Sequence, residues 1–357
     1  MDDAVIDDDS TAPERQSLLP GAGFFIPDDL EREQAIAELE DELVDSEVAV
    51  IADTDADGLA AVAVIQAAYG EATLVPAGPH DLEDALARVA EHGASGLRVF
   101  VCDIAPERFE PIAPAIETLV ERAQAVRWFD HHQWDDAVTT AVREAGVDLV
   151  VGVSDEECTA DVTLRSIDEP IPEHLESLVA VTRDHDLWIK EDPRSDDLAD
   201  FARWSEDDET YVETVLEHGP DLPESVLESL EQRRETKADR IDRAVRRAEF
   251  HEIGDWTVGV TYGRCSQNEV AEQLREDGAD AAVIVKPSGP ASIRGTESFK
   301  RCHEVAEQVN GGGHPKAAGC KPEIYDDMLD YAHHWTTHGA VAKRLILDAF
   351  RTLAATD

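Results

Sequence analysis

The sequence is short of several things, and each shortage narrows what the chain can be. Lysine is the scarcest charged residue, 7 in 357, against 24 arginines. Positive charge is short altogether: 31 basic residues face 79 acidic ones, a net of −48. Aromatics make up 6%, so a core has to be built from Ala, Val, Leu and Ile, which the 42% hydrophobic content allows. No apolar run approaches the roughly 18 residues of a membrane span. The start, Met1-Asp2-Asp3, lacks the basic-then-apolar order of a secretory signal, so a cytoplasmic protein is expected. The five cysteines, Cys102, Cys158, Cys265, Cys302 and Cys320, are scattered, odd in number and without a C-x-x-C pair. That excludes a disulfide framework and a structural zinc knuckle.

The acidity is spread along the whole chain and not gathered in a tail. Dense carboxylates keep a surface hydrated where salt screens their repulsion, so the composition fits a halophilic, high-salt cytoplasm. Screening also means that net charge does not exclude a nucleic-acid substrate.

At 357 residues two domains are expected. Residues 1–30, with Asp7-Asp8-Asp9-Ser10 and Pro20-Gly21-Ala22-Gly23, read as an acidic disordered tail. Helical spacing over Glu31 to Leu43 is followed by short β-branched runs at Val48–Ala52, Leu97–Cys102, Val126–Phe129 and Leu149–Val153. Helical stretches at Gly58–Tyr69, Leu82–Glu91, Ile112–Ala123 and Thr159–Ser166 separate them. That alternation predicts an α/β, doubly wound parallel sheet over 31–195, whose ligands bind at the carboxyl ends of the strands. Residues 196–250 read as a helical connector ending in one long charged helix from Asp221 to Phe250. Between 231 and 247 it carries seven basic and four acidic residues, either i,i+4 ion pairs or a basic face beside a substrate groove. A smaller α/β domain follows over 251–357, with strands at Thr257–Tyr262, Ala281–Lys286 and Ala291–Arg294 and a turn at Ser288-Gly289-Pro290.

The polar motifs sit where strands end. Asp53-Thr54-Asp55-Ala56-Asp57-Gly58 follows the first strand, and carboxylates at i, i+2 and i+4 can converge on a hard cation or simply favour a helix start. A calcium loop is disfavoured because its twelfth position is Val64, and because calcium does not seek the histidines nearby. Asp103 closes the next run. Asp130-His131-His132 closes the one after, a set suited to a transition metal with a supporting carboxylate. Asp184-His185-Asp186 ends an apolar helix at Leu178–Thr182. Gly311-Gly312-Gly313-His314, with Lys316 close by, can bring backbone N–H groups to an anion, and Arg294 can clamp a phosphate.

In this order, over about Val48 to Lys321, the motifs resemble the DHH phosphoesterases with their C-terminal associated domain, RecJ-like in the first motif and oligoribonuclease-like in size. The resemblance implies two divalent ions, usually manganese with magnesium as the alternative, activating water for in-line attack on phosphorus. By resemblance Asp55 and Asp57 each hold one metal and Asp103 bridges them. His131 and Asp184 complete the second site, with Asp186 as the competing alignment for Asp184. Asp130 and His132 support the site or touch phosphate, which makes Asp130, His131 and His132 the catalytic set. Ser292, Arg294, Gly311, Gly312, Gly313, His314 and Lys316 look like the substrate-binding signature. One position departs from the pattern: many members carry a histidine where this chain has Ile51, and Asp53 is the candidate replacement ligand. The expected activity is a phosphodiesterase or exonuclease on single-stranded or short oligonucleotides, with no membrane partner and a homodimer admitted. The alternatives are a hydrolase of small or cyclic nucleotides, and a non-catalytic nucleotide or nucleic-acid binder.

Overall fold

A computed structural model describes residues 28–286, 290–322 and 340–355; the predicted tail, but for its last three residues, and the Ser288-Gly289 turn lie outside them. The chain divides into two compact units, at Leu230 and Glu231.

The first unit is a five-stranded sheet of β1 (Val48–Ala52), β2 (Thr73–Pro76), β3 (Arg98–Cys102), β4 (Ala125–Asp130) and β5 (Asp148–Val151). Its order is β2-β1-β3-β4-β5 and every pair is parallel. Alternation along β1 sends Val48, Val50 and Ala52 to one face and Ala49 and Ile51 to the other, and both sets are buried. The Val50 face is covered by α2 (Ala56–Tyr69), α6 (Thr159–Ser166), α7 (Glu173–Asp186), α8 (Arg194–Trp204) and α9 (Asp208–His218). The Ile51 face is covered by α1 (Asp28–Asp45), α3 (Leu82–His92), α4 (Ala113–Arg122) and α5 (Asp136–Glu144). Phe100, Trp128 and Phe129 are fully buried between these layers, each contributing roughly 2–3 kcal/mol.

Two expectations change here. β2 was not anticipated; it is a four-residue edge strand ending in Pro76, too short to show a period. Residues 196–230, read as connector, instead put Leu198, Phe201, Tyr211, Val212 and Val215 into the core against α2. The chain leaves β1 for β2 on one side and returns to β3 on the other, so the connections after β1 and β3 run to opposite faces of the sheet, through α2 and α4, and leave a crevice at the strands' carboxyl ends. That is the crevice where sheets of this order bind ligands.

The second unit is a six-stranded sheet, ordered β10-β11-β9-β8-β7-β6, with strands β6 (Glu249–Ile253), β7 (Trp256–Tyr262), β8 (Ala281–Val285), β9 (Ala291–Gly295), β10 (Gly311–Gly313) and β11 (Ala317–Cys320). Only β7 and β8 pair in parallel. Helices α10 (Glu224–Arg246) and α11 (Gln267–Glu276) pack on one face, and α12 (Cys302–Glu307) and α13 (Ala340–Ala354) on the other. The long charged helix is therefore shorter than expected: Glu249 and Phe250 pair with Val260 and Gly259, tertiary pairing overriding the local pattern. Its basic residues are engaged, Lys237 with Glu269 at 2.7 Å and Arg243 and Arg246 with Asp239 and Asp242 one turn earlier.

Candidate metal centre

The acidic motif after β1 does three separate jobs. Asp55 caps α2, its Oδ1 accepting from the Asp57 and Gly58 amides at 2.9 and 3.1 Å. Gly58 is required by crowding, because a Cβ there would overlap the Asp53 carbonyl oxygen. Asp57 is buried, and its carboxylate faces the N-terminus of α6, accepting from the Thr159 amide at 2.6 Å and the Ala160 amide at 2.8 Å. Asp53 accepts from the next amide, Thr54, at 2.7 Å. Burial, and then the charge of Asp55, push the Asp53 carboxyl up to about 6.

Asp103, one residue beyond β3, has φ +63°, a left-handed conformation that Asp tolerates better than most side chains. Its Oδ1 accepts from the Thr159 hydroxyl at 2.8 Å. Asp130, at the end of β4, is wholly buried and fully used. Oδ1 accepts from the amides of His131 (2.7 Å) and His132 (3.1 Å) and meets His132 Nδ1 at 2.7 Å, while Oδ2 accepts from Trp134 Nε1 at 2.7 Å. Asp130 therefore fixes the ring of His132 and the backbone at His131, and both of its oxygens already accept hydrogen bonds.

His131 is the meeting point. Its Nε2 lies 3.4 Å from Asp186 Oδ2, 3.8 Å from Asp103 Oδ1 and 3.9 Å from Asp57 Oδ2. These separations are too long for good hydrogen bonds; two atoms each about 2.1 Å from a shared ion stand roughly 3.0–3.5 Å apart at octahedral or tetrahedral angles, which the Asp186 separation of 3.4 Å meets and the other two, at 3.8 and 3.9 Å, slightly exceed. Asp57, His131 and Asp186 form one group with ligand atoms within 4.8 Å of one another; Asp103, His131 and His132 form another. Asp186 Oδ2 and His131 Nδ1 are buried without a hydrogen-bond partner. Among the described residues the only ion-pair partners of Asp57, Asp103 and Asp186 are His131 and His132. Burial, then the Asp186 and Asp55 charges, push Asp57 up to about 8. Asp103 is driven up by burial and by Asp57, and Asp186 by burial and Asp55. An orphaned carboxylate oxygen and buried carboxylates crowded together without a cationic neighbour other than histidine are what a divalent cation would relieve, so the donor set fits a metal.

Asp184, expected among the ligands, is elsewhere. Its Oδ1 and Oδ2 accept from the Glu191 and Asp192 amides at 2.9 and 3.2 Å, and its carbonyl accepts from Ile189 and Lys190. Burial would raise its pKa, but bonds from Glu191, Ser195 and Asp192 outweigh burial and hold it low. The structure thus puts Asp186, not Asp184, beside His131, and Asp184 knots the loop after α7. Ile51, at the departure from the family pattern, is wholly buried on the face of β1 opposite Ala52, in the core against α3. Thr159 and Trp134 are the participants that sequence reading missed. The signal for Thr159 was its place at the start of a predicted helix on the same sheet edge.

In the second unit, Arg294 Nε donates to Asn268 Oδ1 at 2.9 Å, and Arg294 lines a groove of about 620 Å³ with Asn268, Arg275, Thr296, Glu297 and Lys316. Lys316 pairs with Glu297, whose carboxyl Lys300 and Lys316 together hold down at about 2. Ser292 is buried, its hydroxyl donated to Gln267. Gly311 to Gly313 form an exposed end strand, not a free loop. Glycine is needed there for packing: a Cβ at Gly313, φ +144°, would stand 2.6 Å from the Ala317 carbonyl, and one at Gly311 would overlap Gly319. His314 and Ala317 exchange bonds, so by antiparallel alternation the N–H groups of Gly311 and Gly313 turn outward from β11.

No protein-family model and no curated protein matches the chain. Solved structures do. The exonuclease RecJ bound to manganese aligns at 16% identity over 87% of this chain and 94% of that one, TM-score 0.49. A DHH domain described as a member of the s1p family of ribosomal proteins aligns at 14% over 93% of both, TM-score 0.44. A pGpG-specific phosphodiesterase from Vibrio cholerae aligns at 12% over 84% of this chain and 99% of that one, TM-score 0.46. The likeness is one of fold, and the chemistry is argued from the side chains.

Proposed function

We propose that the chain is a DHH-type phosphodiesterase that uses divalent metal to cleave single-stranded nucleic acid or short oligonucleotides. The observation that carries this reading is His131 Nε2 ringed by Asp57, Asp103 and Asp186 at the carboxyl edge of a parallel sheet, at its switch point. Asp57, Asp103, His131 and Asp186 would hold manganese or magnesium, since the set mixes hard oxygens with an imidazole. One imidazole nitrogen holds one ion, so a second ion would draw on Asp53 or Asp55. Divalent ions at such a site supply Lewis-acid stabilisation of phosphoryl oxygens and an acidified water.

The chain's own residues do the rest. Asp130 fixes the ring of His132 through Nδ1, which leaves Nε2 to meet a phosphate oxygen. The bond to Asp130 also raises the pKa of His132, keeping the ring cationic to higher pH. Thr159 and the start of α6 hold Asp103 and Asp57 in place. In the second unit Arg294, Lys316, His314 and the outward Gly311 and Gly313 amides bind substrate phosphates. The test is turnover of end-labelled oligonucleotides of graded length with manganese in molar salt. Stepwise release of mononucleotides that stops on chelation is expected. Binding without turnover at saturating manganese would make the protein a binder instead.

A further inference from the structure

The loop after α7 carries the most exposed large hydrophobic side chain among the described residues. Trp188 is 75% exposed, against 47% for its neighbour Ile189. It stands two residues after Asp186, so the two Cα atoms are at most about 7.6 Å apart. An exposed indole is a large apolar face open to a partner, and its position beside the metal centre and its fixed loop are what single it out.

The loop is not slack. Its backbone amides at 189, 190, 191 and 192 all end on Asp184, the first two on the carbonyl and the others on the carboxylate. Trp188 and Lys190 both take left-handed conformations, φ +56° and +59°. Such conformations are unfavourable for side chains of this size and persist only where the surroundings impose them. The ring itself is fixed. Lys190 Nζ lies 4.3 Å from its centroid, and His185 meets it edge-on at 6.1 Å. Lys190 is in turn tied to Asp196 and to His185 Nδ1. One face of the indole is thus occupied by a cation that is itself anchored, and the side chain remains mostly open to solvent.

From this arrangement we infer that Trp188 is a stacking platform for a nucleobase of the substrate, placed one residue-pair from the metal-centre carboxylate Asp186. The inference rests on the phosphodiesterase reading and assigns the side chain that holds a base of its nucleotide substrate, a contact that a base-free polyanion such as polyphosphate cannot make. A rigid aromatic beside a phosphate-directed site takes the base of the nucleotide whose phosphate is bound there. Stacking is tolerant of base identity because every base presents a π-face.

The experiment measures AMP affinity by titration calorimetry in the presence of manganese for the full chain and for Trp188→Ala and Trp188→Phe, with manganese affinity measured alongside. Trp188→Ala is expected to weaken AMP binding by about tenfold or more. Trp188→Phe should keep it within about threefold, and manganese affinity should be the same in all three, showing that Asp186 has not moved. Manganese affinity lost together with AMP affinity would mean that Trp188 only shapes the loop, which overturns the inference. So would a wild-type protein that does not bind AMP, AMP affinity unchanged in Trp188→Ala, or Trp188→Phe as weak as Trp188→Ala. Failure of the parent reading looks different: AMP would bind through Trp188, yet no oligonucleotide would be cleaved at saturating manganese.

Discussion

The two carboxylates at the end of α7 are two residues apart and carry opposite burdens. Asp186 keeps a buried oxygen without a donor beside His131, and Asp184 spends both of its oxygens on backbone amides. Asp186→Asn is therefore expected to weaken manganese binding at least tenfold and to remove most activity. Asp184→Asn should leave manganese affinity within about threefold while lowering stability by about 1–3 kcal/mol, since the amides of Glu191 and Asp192 lose a charged acceptor. Calorimetric titration with manganese and a denaturant melt separate the two, and the reverse pattern would restore Asp184 as the ligand. The same crowding predicts a pH response. Asp57 holds its proton to about 8 in the fold but ionises near 4 in an unfolded chain. Between those limits the fold binds more protons than the unfolded chain, so metal-free stability falls as pH rises. In EDTA and molar salt, Tm should drop by a few degrees from pH 5 to pH 8. Asp57→Asn should flatten that slope, and manganese should raise Tm more at pH 8 than at pH 5. A Tm that climbs across this range in EDTA would contradict the assignment.

Among the elements, those that hold the metal centre were also the plainest in sequence. Val48–Ala52 and Val99–Cys102 are unbroken apolar segments, and the run ending at Phe129 is interrupted only by Arg127, because helices cover both faces of their sheet, and each delivers its polar motif where the run stops. What could not be read has physical causes. β2 is too short to have a period, and α8 and α9 hide their apolar residues among Asp196, Asp197, Asp207, Asp208 and Glu209, so they passed for connector. The choice between Asp184 and Asp186 depends on the rotation of one helical turn, which no spacing rule fixes. The role of Gly311 to Gly313 depends on a partner strand that arrives only with the fold. Helix α6 was seen, but not its work: its first amides grip Asp57 while its first hydroxyl grips Asp103. Thr159→Val removes the hydroxyl and keeps the shape, so manganese affinity should fall about tenfold, as for other groups that orient metal ligands. Thr159→Ser should stay within about threefold of wild type. Equal affinity in all three would mean that the backbone of α6 alone positions the carboxylates.

At the scale of the whole molecule the question is how a chain of net charge −48 would hold a polyanion. Long-range electrostatics oppose it, and more so in dilute salt, where the Debye length is about 30 Å at 0.01 M against 3 Å at 1 M. Attraction therefore has to come from groups that act at contact: the proposed metal ions, His132, Arg294 and the outward amides of Gly311 and Gly313. Along α10, Lys237, Arg243 and Arg246 face Glu269, Asp239 and Asp242, which lowers the positive potential an extended basic groove there would offer. Ordinary nucleic-acid binders lose affinity steeply as salt rises, because binding releases counterions from the phosphates. Here each increment of salt removes repulsion over the whole surface and costs little at contact range. Oligonucleotide affinity in manganese is accordingly expected to hold steady or improve from about 0.1 M to 2 M KCl, with the association rate gaining most. Arg294→Ala should raise KM or lower kcat about tenfold at every salt concentration without changing manganese affinity, since a guanidinium bound at contact range is little screened. Affinity that collapses with salt in the manner of ordinary binders would place the binding on the basic side chains of α10 after all, and Arg233→Glu together with Arg240→Glu would then abolish it.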